Sequence, residues 1–470
     1  MNSITQKKLG GIFTALNGFL YSGYYPVCVA AWAFICFAFN LQTLGLFVLI
    51  AIGGTIFVLY EDLTPIIPLF TCCVLTINDF PMLTSAPYIV MYGILAGCIV
   101  YHFIVYPFKT FYLGKLFFPL CLVSAALFLS GLLSPMGRNN YANGLLVAIA
   151  TGPLMLIIYL LFLNGIKPPQ NTDVGKYICY SILSATVFAC FEILFIRVEA
   201  DPFFFIWVRS LGWGNFNTAG AMTLISVPAC FYLIIKTGKS ASFLAVIIFM
   251  ILTDILCRSD GSAGITLFSS PFLVVFTFMH LNKKYRKQFA ICIFSIVFAL
   301  CAIGIYVLHA IGAEEILTFM QSATNSNGRW QLYEHAISLF KSNPVLGIGV
   351  GFTDESVYFP DGVVNFHSTI FHVAATMGCL GIIAYAVYYF FRFKILLGGK
   401  TVLNSFAYLS FIMFEAYGLI DVCEFNIIPL MSFMTLLIVC VELTNLKAED
   451  DCLPLFNDSE LYLNHFAFSL

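Results

Sequence analysis

The sequence predicts an all-α polytopic membrane protein, and three observations carry that expectation. Of the 470 residues, 60% are hydrophobic and only 10% charged, against roughly a quarter charged in a soluble domain. The mean hydropathy is +0.94. Long apolar runs recur along the chain, with 50 Phe among them, so lipid is the solvent for most of the surface. The net charge of −2 provides no basic field, and no nucleic-acid partner is expected. The 16 Cys form no CxxC pair and lie mostly inside apolar segments such as "TCCVLT". They read as small buried hydrophobes, and neither a disulfide framework nor a zinc site is expected.

A membrane-crossing helix needs about 20 apolar residues. Stretches meeting or approaching that length lie near 20–40, 42–60, 63–78, 87–107, 113–134, 143–164, 177–197, 217–235, 241–257, 262–281, 289–310, 367–391, 401–420 and 425–444. That predicts about 14 transmembrane helices, the third being the weakest because "LTPIIPLFTCCVLTIN" is short and holds two prolines. Two lysines precede the first stretch in "MNSITQKKLGGIF" with no small-residue cleavage site after them, so that segment is expected to remain uncleaved. No period of 20–50 residues repeats. The expected organisation is one transmembrane domain over 1–444, with an extracytoplasmic cap at about 311–366, and a cytoplasmic tail over 445–470.

Orientation follows from the loop cations. With the N-terminus inside, 14 of the Lys and two Arg, Arg286 and Arg392, fall inside. Outside fall Arg138, Arg197, Arg209, Arg258, Arg329 and Lys341. Topology needs only positive charge, which lysine supplies, whereas arginine offers a rigid fork for carboxylate or phosphate. Arginine kept on the side where topology does not want it points to a bound anion. A lone outer arginine is more simply a loop anchor; the set favours a site.

Two outer segments stand out. In "RVEADPFFFIWVRSLGWGNFNTAGAM", Arg209 precedes a helix expected to start at Asn215 or Asn217, both good caps. Its N-terminus faces out and favours a phosphate. The long connection over 311–366 contains an expected amphipathic helix with Trp330, Tyr333, Ile337 and Phe340 on one face, lying on the membrane surface. It carries Arg329, Glu334, His335 and Lys341, and "SNPVLGIGVGF" then ends it. That glycine run has neither the preceding strand nor the following helix of a dinucleotide loop, so it reads as a turn. In "NFHSTIFHVAATMGCLGIIAY", His367 opens the twelfth stretch at an outward helix N-terminus, where the dipole favours a neutral ring able to accept a proton. A lone histidine there is more often a cap; beside outer arginines and a long loop it becomes a candidate base. His372 falls on another face.

An outer arginine before an Asn-capped span, a later "GRW" helix, "PVLGIGVG", and "HS" followed by "MGCLGIIAY" together resemble the O-antigen ligase and Wzy-type polymerase superfamily. The resemblance is strongest over 328–385 and weaker over 205–265. It implies an integral-membrane glycosyltransferase at the outer face of the cell membrane. The donor would be a polyprenyl-diphosphate-linked oligosaccharide and the acceptor a glycan, with no cofactor. By the same resemblance Arg209 and Arg329 would hold the diphosphate and His367 would activate the acceptor hydroxyl. Arg258 in "CRSDGSAG" would match a Ser-Arg element, and Asn217, Trp330, Glu334 and His335 would line the substrate site. The chain departs from the pattern at Ser368, where asparagine is frequent, and in the long spacing from Arg209 to Arg329. The chemistry is consistent without the name: outside the cell a glycosyl donor must bring its own leaving group, and arginines can stabilise the charge that grows on a lipid diphosphate.

Two rivals remain. Glu199 and Asp201 in "EAD" could hold a divalent cation for metal-assisted transfer. A transporter or flippase would use intramembrane acids, for which Glu192, Asp254 and Glu415 qualify, with Asp254 and Arg258 pairing four residues apart. Concentration of polar residues in one outer loop favours the enzyme.

Overall fold

The computed structural model describes residues 14–77, 86–108, 111–133, 141–170, 172–200, 211, 213–257, 259–311, 329–351, 365–425 and 427–452. Helices account for nearly all of the order in these residues. In chain order they are α1 (Thr14–Leu20), α2 (Tyr24–Ala38), α3 (Gln42–Leu59), α4 (Ile66–Thr76), α5 (Ala86–Val105), α6 (Phe117–Leu133), α7 (Tyr141–Ile149) and α8 (Met155–Gly165). There follow α9 (Val174–Ala200), α10 (Phe216–Thr237), α11 (Ser240–Leu256), α12 (Asp260–His280), α13 (Lys283–Ile311), α14 (Arg329–Ser342), α15 (Thr369–Leu397), α16 (Val402–Gly418) and α17 (Ser432–Cys452). Among the described residues, nine helices are long and apolar enough to cross a membrane, α7 and α8 running on as one span over Gly144–Gly165, or ten when α1 and α2, bent by 74°, count as one span.

Among the described residues the expected count of fourteen is not confirmed, for a reason of length. Four of the apolar stretches form helices that fall short: α4 as Ile66–Thr76, α6 as Phe117–Leu133, α11 as Ser240–Leu256 and α16 as Val402–Gly418. A 17-residue helix rises about 26 Å, less than the roughly 30 Å of hydrocarbon. α4 is the shortest of the four, and its last turn tightens at Cys73–Thr76.

α10 is the centre of the bundle and is buried along almost its whole length. It packs against α9, α11, α12 and α16. Hydroxyls tie it to its neighbours: Ser226 meets Thr186 at 2.7 Å, and Ser410 donates to the Ile225 carbonyl at 3.0 Å. Asn215 caps it, its side chain accepting from the Thr218 N–H at 2.9 Å, one of the two caps expected.

α15 is broken at Gly378, whose φ of +60° lies in the left-handed region. The carbonyls and N–H groups freed there are taken up by the glycine-rich run after α14. Ile348 and Gly349 donate to Ala375 and Thr376, and Cys379 and Leu380 donate back to Pro344 and Val345. A Cβ at Gly347 (φ +64°) would lie 2.4 Å from the Met377 nitrogen, so this approach requires glycine. The run is thus a backbone clasp on the broken helix, not a phosphate loop.

One expectation gains a second face and another needs correction. α14 turns Leu332, Ala336 and Leu339 toward Phe366, Phe371 and Ala375, whereas Trp330 is 64% exposed and Ile337 is also exposed. The face expected to lie on the membrane surface thus keeps Trp330 and Ile337 uncovered, and a separate apolar stripe packs on the protein. Arg392 is no loop cation: α15 continues beyond it to Leu397, and its guanidinium is buried against Glu415 and Glu424. Of the cap over 311–366, residues 312–328 and 352–364 lie outside the described residues.

Candidate functional site

Three helix N-termini and one turn meet at a single place. Asn217 stands in the first turn of α10, Arg329 and Tyr333 in the first turns of α14, and His367 just ahead of α15. Asp421 lies in the turn after α16. The amide of Asn217 donates to Asp421 Oδ2 at 2.9 Å. His367 Nδ1 lies 3.3 Å from Asp421 Oδ1, and the Val422 N–H donates to that same oxygen at 2.8 Å.

His367 is held at an unusual backbone angle. Its φ is +45°, a left-handed value that a β-carbon makes costly. Two bonds hold it there: its N–H donates to Asn365 Oδ1 at 2.9 Å, and the Tyr333 hydroxyl donates to its carbonyl at 3.1 Å. Tyr333 is itself stacked on Phe371 at 4.6 Å and 19°. The result turns the imidazole toward Asp421 with 28% of its side chain exposed, against 11% for the carboxylate.

The electrostatics decide the tautomer. Burial pushes the Asp421 carboxyl up, but the hydrogen bond and charge of His367, the Val422 N–H and the nearby Arg329 outweigh it and hold the group below its ordinary range. An ionised carboxylate only accepts, so Nδ1 carries a proton, and it is the neutral form of the ring that presents a lone pair at Nε2. Burial lifts the Tyr333 phenol, with Arg329 pulling it down and Asp421 pushing it up. Tyr333 therefore stays a protonated donor. The gathered N-termini add partial positive charge around the site.

Of the residues expected at a substrate site, the structure brings together His367, Arg329 and Asn217, the last through Asp421 and with its amide already engaged. Trp330 is exposed, its ring 6.3 Å from Tyr333. Glu334 is exposed as well. His335 faces inward on α14, its ring 6.1 Å from Phe366, and its Nε2 is buried without a hydrogen-bond partner. His372 is packed between Phe366 and Phe425 at 5.9 and 4.7 Å. Arg209, Arg258 and Asp201 lie outside the described residues, as does the side chain of Glu199. The convergence of Arg209 with Arg329, the Asp254–Arg258 pair and the Glu199–Asp201 metal site each involve a residue outside the described ones. Asp254 itself accepts from Thr223 and Ser262 at 3.3 and 3.1 Å. Among the described residues no group of three or more His, Cys, Asp or Glu could hold a metal.

Asp421 escaped sequence reasoning. One signal could have found it: alternation of the last spans puts the "DVCEF" turn on the same side as His367.

The family model described as O-antigen ligase matches residues 224–386, supporting membership of the O-antigen ligase/Wzy superfamily. The match runs from α10 into α15 and includes Arg329 and His367; Asn217 and Asp421 lie beyond its ends. No curated protein matches the chain.

Proposed function

We propose that this member of the O-antigen ligase superfamily joins a polyprenyl-diphosphate-linked glycan to a glycan acceptor at the outer face of the cell membrane. The observation that carries the reading is the His367–Asp421 pair set among the N-termini of α10, α14 and α15 beside Arg329. A base with its lone pair free, in a field that favours anions, suits a reaction that takes a proton from one substrate while negative charge grows on the other.

In the proposed step the acceptor hydroxyl loses its proton to His367 Nε2 as its oxygen bonds to the donor's C1. The C1–O bond to the diphosphate breaks, and the leaving lipid diphosphate keeps the electron pair. Arg329, with Arg209, neutralises the charge that develops there. Asp421 stabilises the imidazolium formed and does not itself take the proton. In-line attack inverts the anomeric centre. The transfer needs no nucleotide sugar, and the hydroxyl is activated by a side chain.

Supplying the purified protein in liposomes with one defined lipid-linked repeat unit tests this reading and sorts the two branches. A ladder of products identifies a polymerase. A single product on an added acceptor identifies a ligase. Absence of any new glycosidic bond with either substrate set, while lipid-linked glycan moves between leaflets, would replace the enzyme with the flippase.

A further inference from the structure

Below the candidate site lies a second charged cluster that the transfer step does not use. Arg392 of α15 and Glu424 of the turn after α16 are each only 1% exposed at the side chain, and Glu415 of α16 is 19% exposed. The two carboxylates share one guanidinium nitrogen: Arg392 Nη1 donates to Glu415 Oε1 at 3.2 Å and also to Glu424 Oε1. The rings of Tyr388 and Phe411 cover the guanidinium at 4.7 Å each, with Tyr389 at 5.8 Å. Arg392 Nε and Glu424 Oε2 are buried without hydrogen-bond partners.

The charges of this cluster do not balance. One guanidinium faces two carboxylates, and a buried uncompensated charge is strongly disfavoured. The other titratable groups facing it are the phenols of Tyr385, Tyr388 and Tyr389 and the thiol of Cys423, none of which is cationic. The cations on the helices packed around it are placed elsewhere: Arg329 of α14 acts on Tyr333 and Asp421, His335 of α14 lies by Phe366, and Lys341 of α14 and Lys394 of α15 are exposed. α6 has no charged side chain. Lys236 of α10 is paired with Asp173 at 3.0 Å, Asp260 and His280 at the ends of α12 are exposed, and Glu442 of α17 accepts from Tyr159 at 2.6 Å.

We propose that Glu415 and Glu424 together hold one proton across Arg392, making a proton-binding site inside the bundle that fixes the turn carrying Asp421. Two carboxylates bound to one atom cannot both ionise cheaply, and a shared proton brings the cluster to zero net charge. Glu415 is the member of the pair nearer the protein surface. The link to the candidate site is covalent and short. Glu424 follows Asp421 by three residues, the Cys423 N–H donates to Thr369 Oγ1 at 3.2 Å, and Thr369 Oγ1 donates to the Asp421 carbonyl at 3.4 Å. Losing the proton sets Glu415 against Glu424, pushes Glu424 off the guanidinium and loosens the turn that presents Asp421 to His367.

Infrared difference spectroscopy on the full chain in proteoliposomes tests the proton directly. Wild type minus Glu415→Gln, and wild type minus Glu424→Gln, should each show one C=O stretch of a protonated carboxylic acid that shifts in heavy water. Either substitution leaves a single carboxylate on Arg392, which then needs no proton. Arg392→Gln should raise the same band, because both acids are then left without a cation. Flat difference spectra for both Glu variants would overturn the site whatever the activity does. The coupling to the turn rests on the proposed transfer reaction and has its own readout. Wild-type transfer should fall as rising pH removes the proton, while Glu415→Gln, neutral at every pH, keeps its rate further into the alkaline range. A proton band with identical alkaline limbs in the two proteins would overturn the coupling and leave the site standing.

Discussion

The imidazole of His367 is set from two directions, its backbone by Asn365 and Tyr333 and its Nδ1 by Asp421. Removing the ring in His367→Ala should lower transfer by roughly two to four orders of magnitude, the usual yield of a positioned proton acceptor. Asp421→Asn keeps the shape but lets the amide donate to Nδ1 and move the proton to Nε2. Initial rates should then fall by about two orders of magnitude or more, while Asn217→Ala should cost less because Val422 still holds the carboxylate. The Asp421 carboxyl is held below its ordinary range, so its ionisation favours the folded state. That stabilisation is complete above the ordinary value of about 3.9 and is lost as pH falls through the lower folded value. Thermal unfolding of Asp421→Asn should therefore be flatter than wild type across that acid window. Arg329→Ala should weaken donor binding by about 1.5–3 kcal/mol, and Arg329→Lys should restore little of it. At this scale His367, Arg329 and Asn217 stand out in the sequence because polar residues are scarce in so apolar a chain. Asp421 was not, because a carboxylate in a short turn reads equally well as solvated and its partner is 54 residues away. Arg392 misled because charge near the end of an apolar run looks like a loop cation until the helix is seen to continue past it.

At the scale of elements, the apolar runs identified the helices but not their lengths or their packing faces. α14 has two apolar stripes, one through Leu332, Ala336 and Leu339 and another through Trp330 and Ile337. Periodicity alone cannot say which meets protein and which is left exposed. The clasp between the glycine run and the break in α15 was invisible as well, since it is made of backbone. It makes a sharp prediction about glycines. Gly347→Ala must place a methyl 2.4 Å from the Met377 nitrogen at a φ of +64°, and the left-handed backbone alone costs about 1–2 kcal/mol. Thermal unfolding in detergent should show a clear loss of stability. Gly264→Ala in α12, where a Cβ would meet nothing within 4 Å, should be neutral or slightly stabilising. Equal unfolding temperatures for the two variants would show that the clasp does not form.

For the molecule as a whole, the proposed orientation places His367, Asp421 and the 311–366 segment outside and the "KKYRK" run at 283–287 inside. Cysteines introduced at 325 or 355 should react with an impermeant reagent in intact cells beyond the level of the unsubstituted chain, and one at 285 should not. The reverse pattern would move the site to the cytoplasm, where a lipid-linked donor would compete with nucleotide sugars. The all-helical, multi-pass architecture was legible because hydrocarbon leaves a chain few ways to satisfy its backbone. How the helices assemble around α10 was not, because buried hydroxyl ties such as Thr186–Ser226 carry no periodicity.

In the proposed reaction His367 takes the acceptor's proton while other residues hold the donor. Donor binding and single-turnover transfer, measured side by side on purified wild type and His367→Ala with one lipid-linked glycan, separate the two roles. Donor affinity of His367→Ala should stay within a few-fold of wild type, and its transfer rate should fall by roughly two to four orders of magnitude. Unimpaired transfer by His367→Ala, in a preparation whose donor affinity matches wild type, would contradict it.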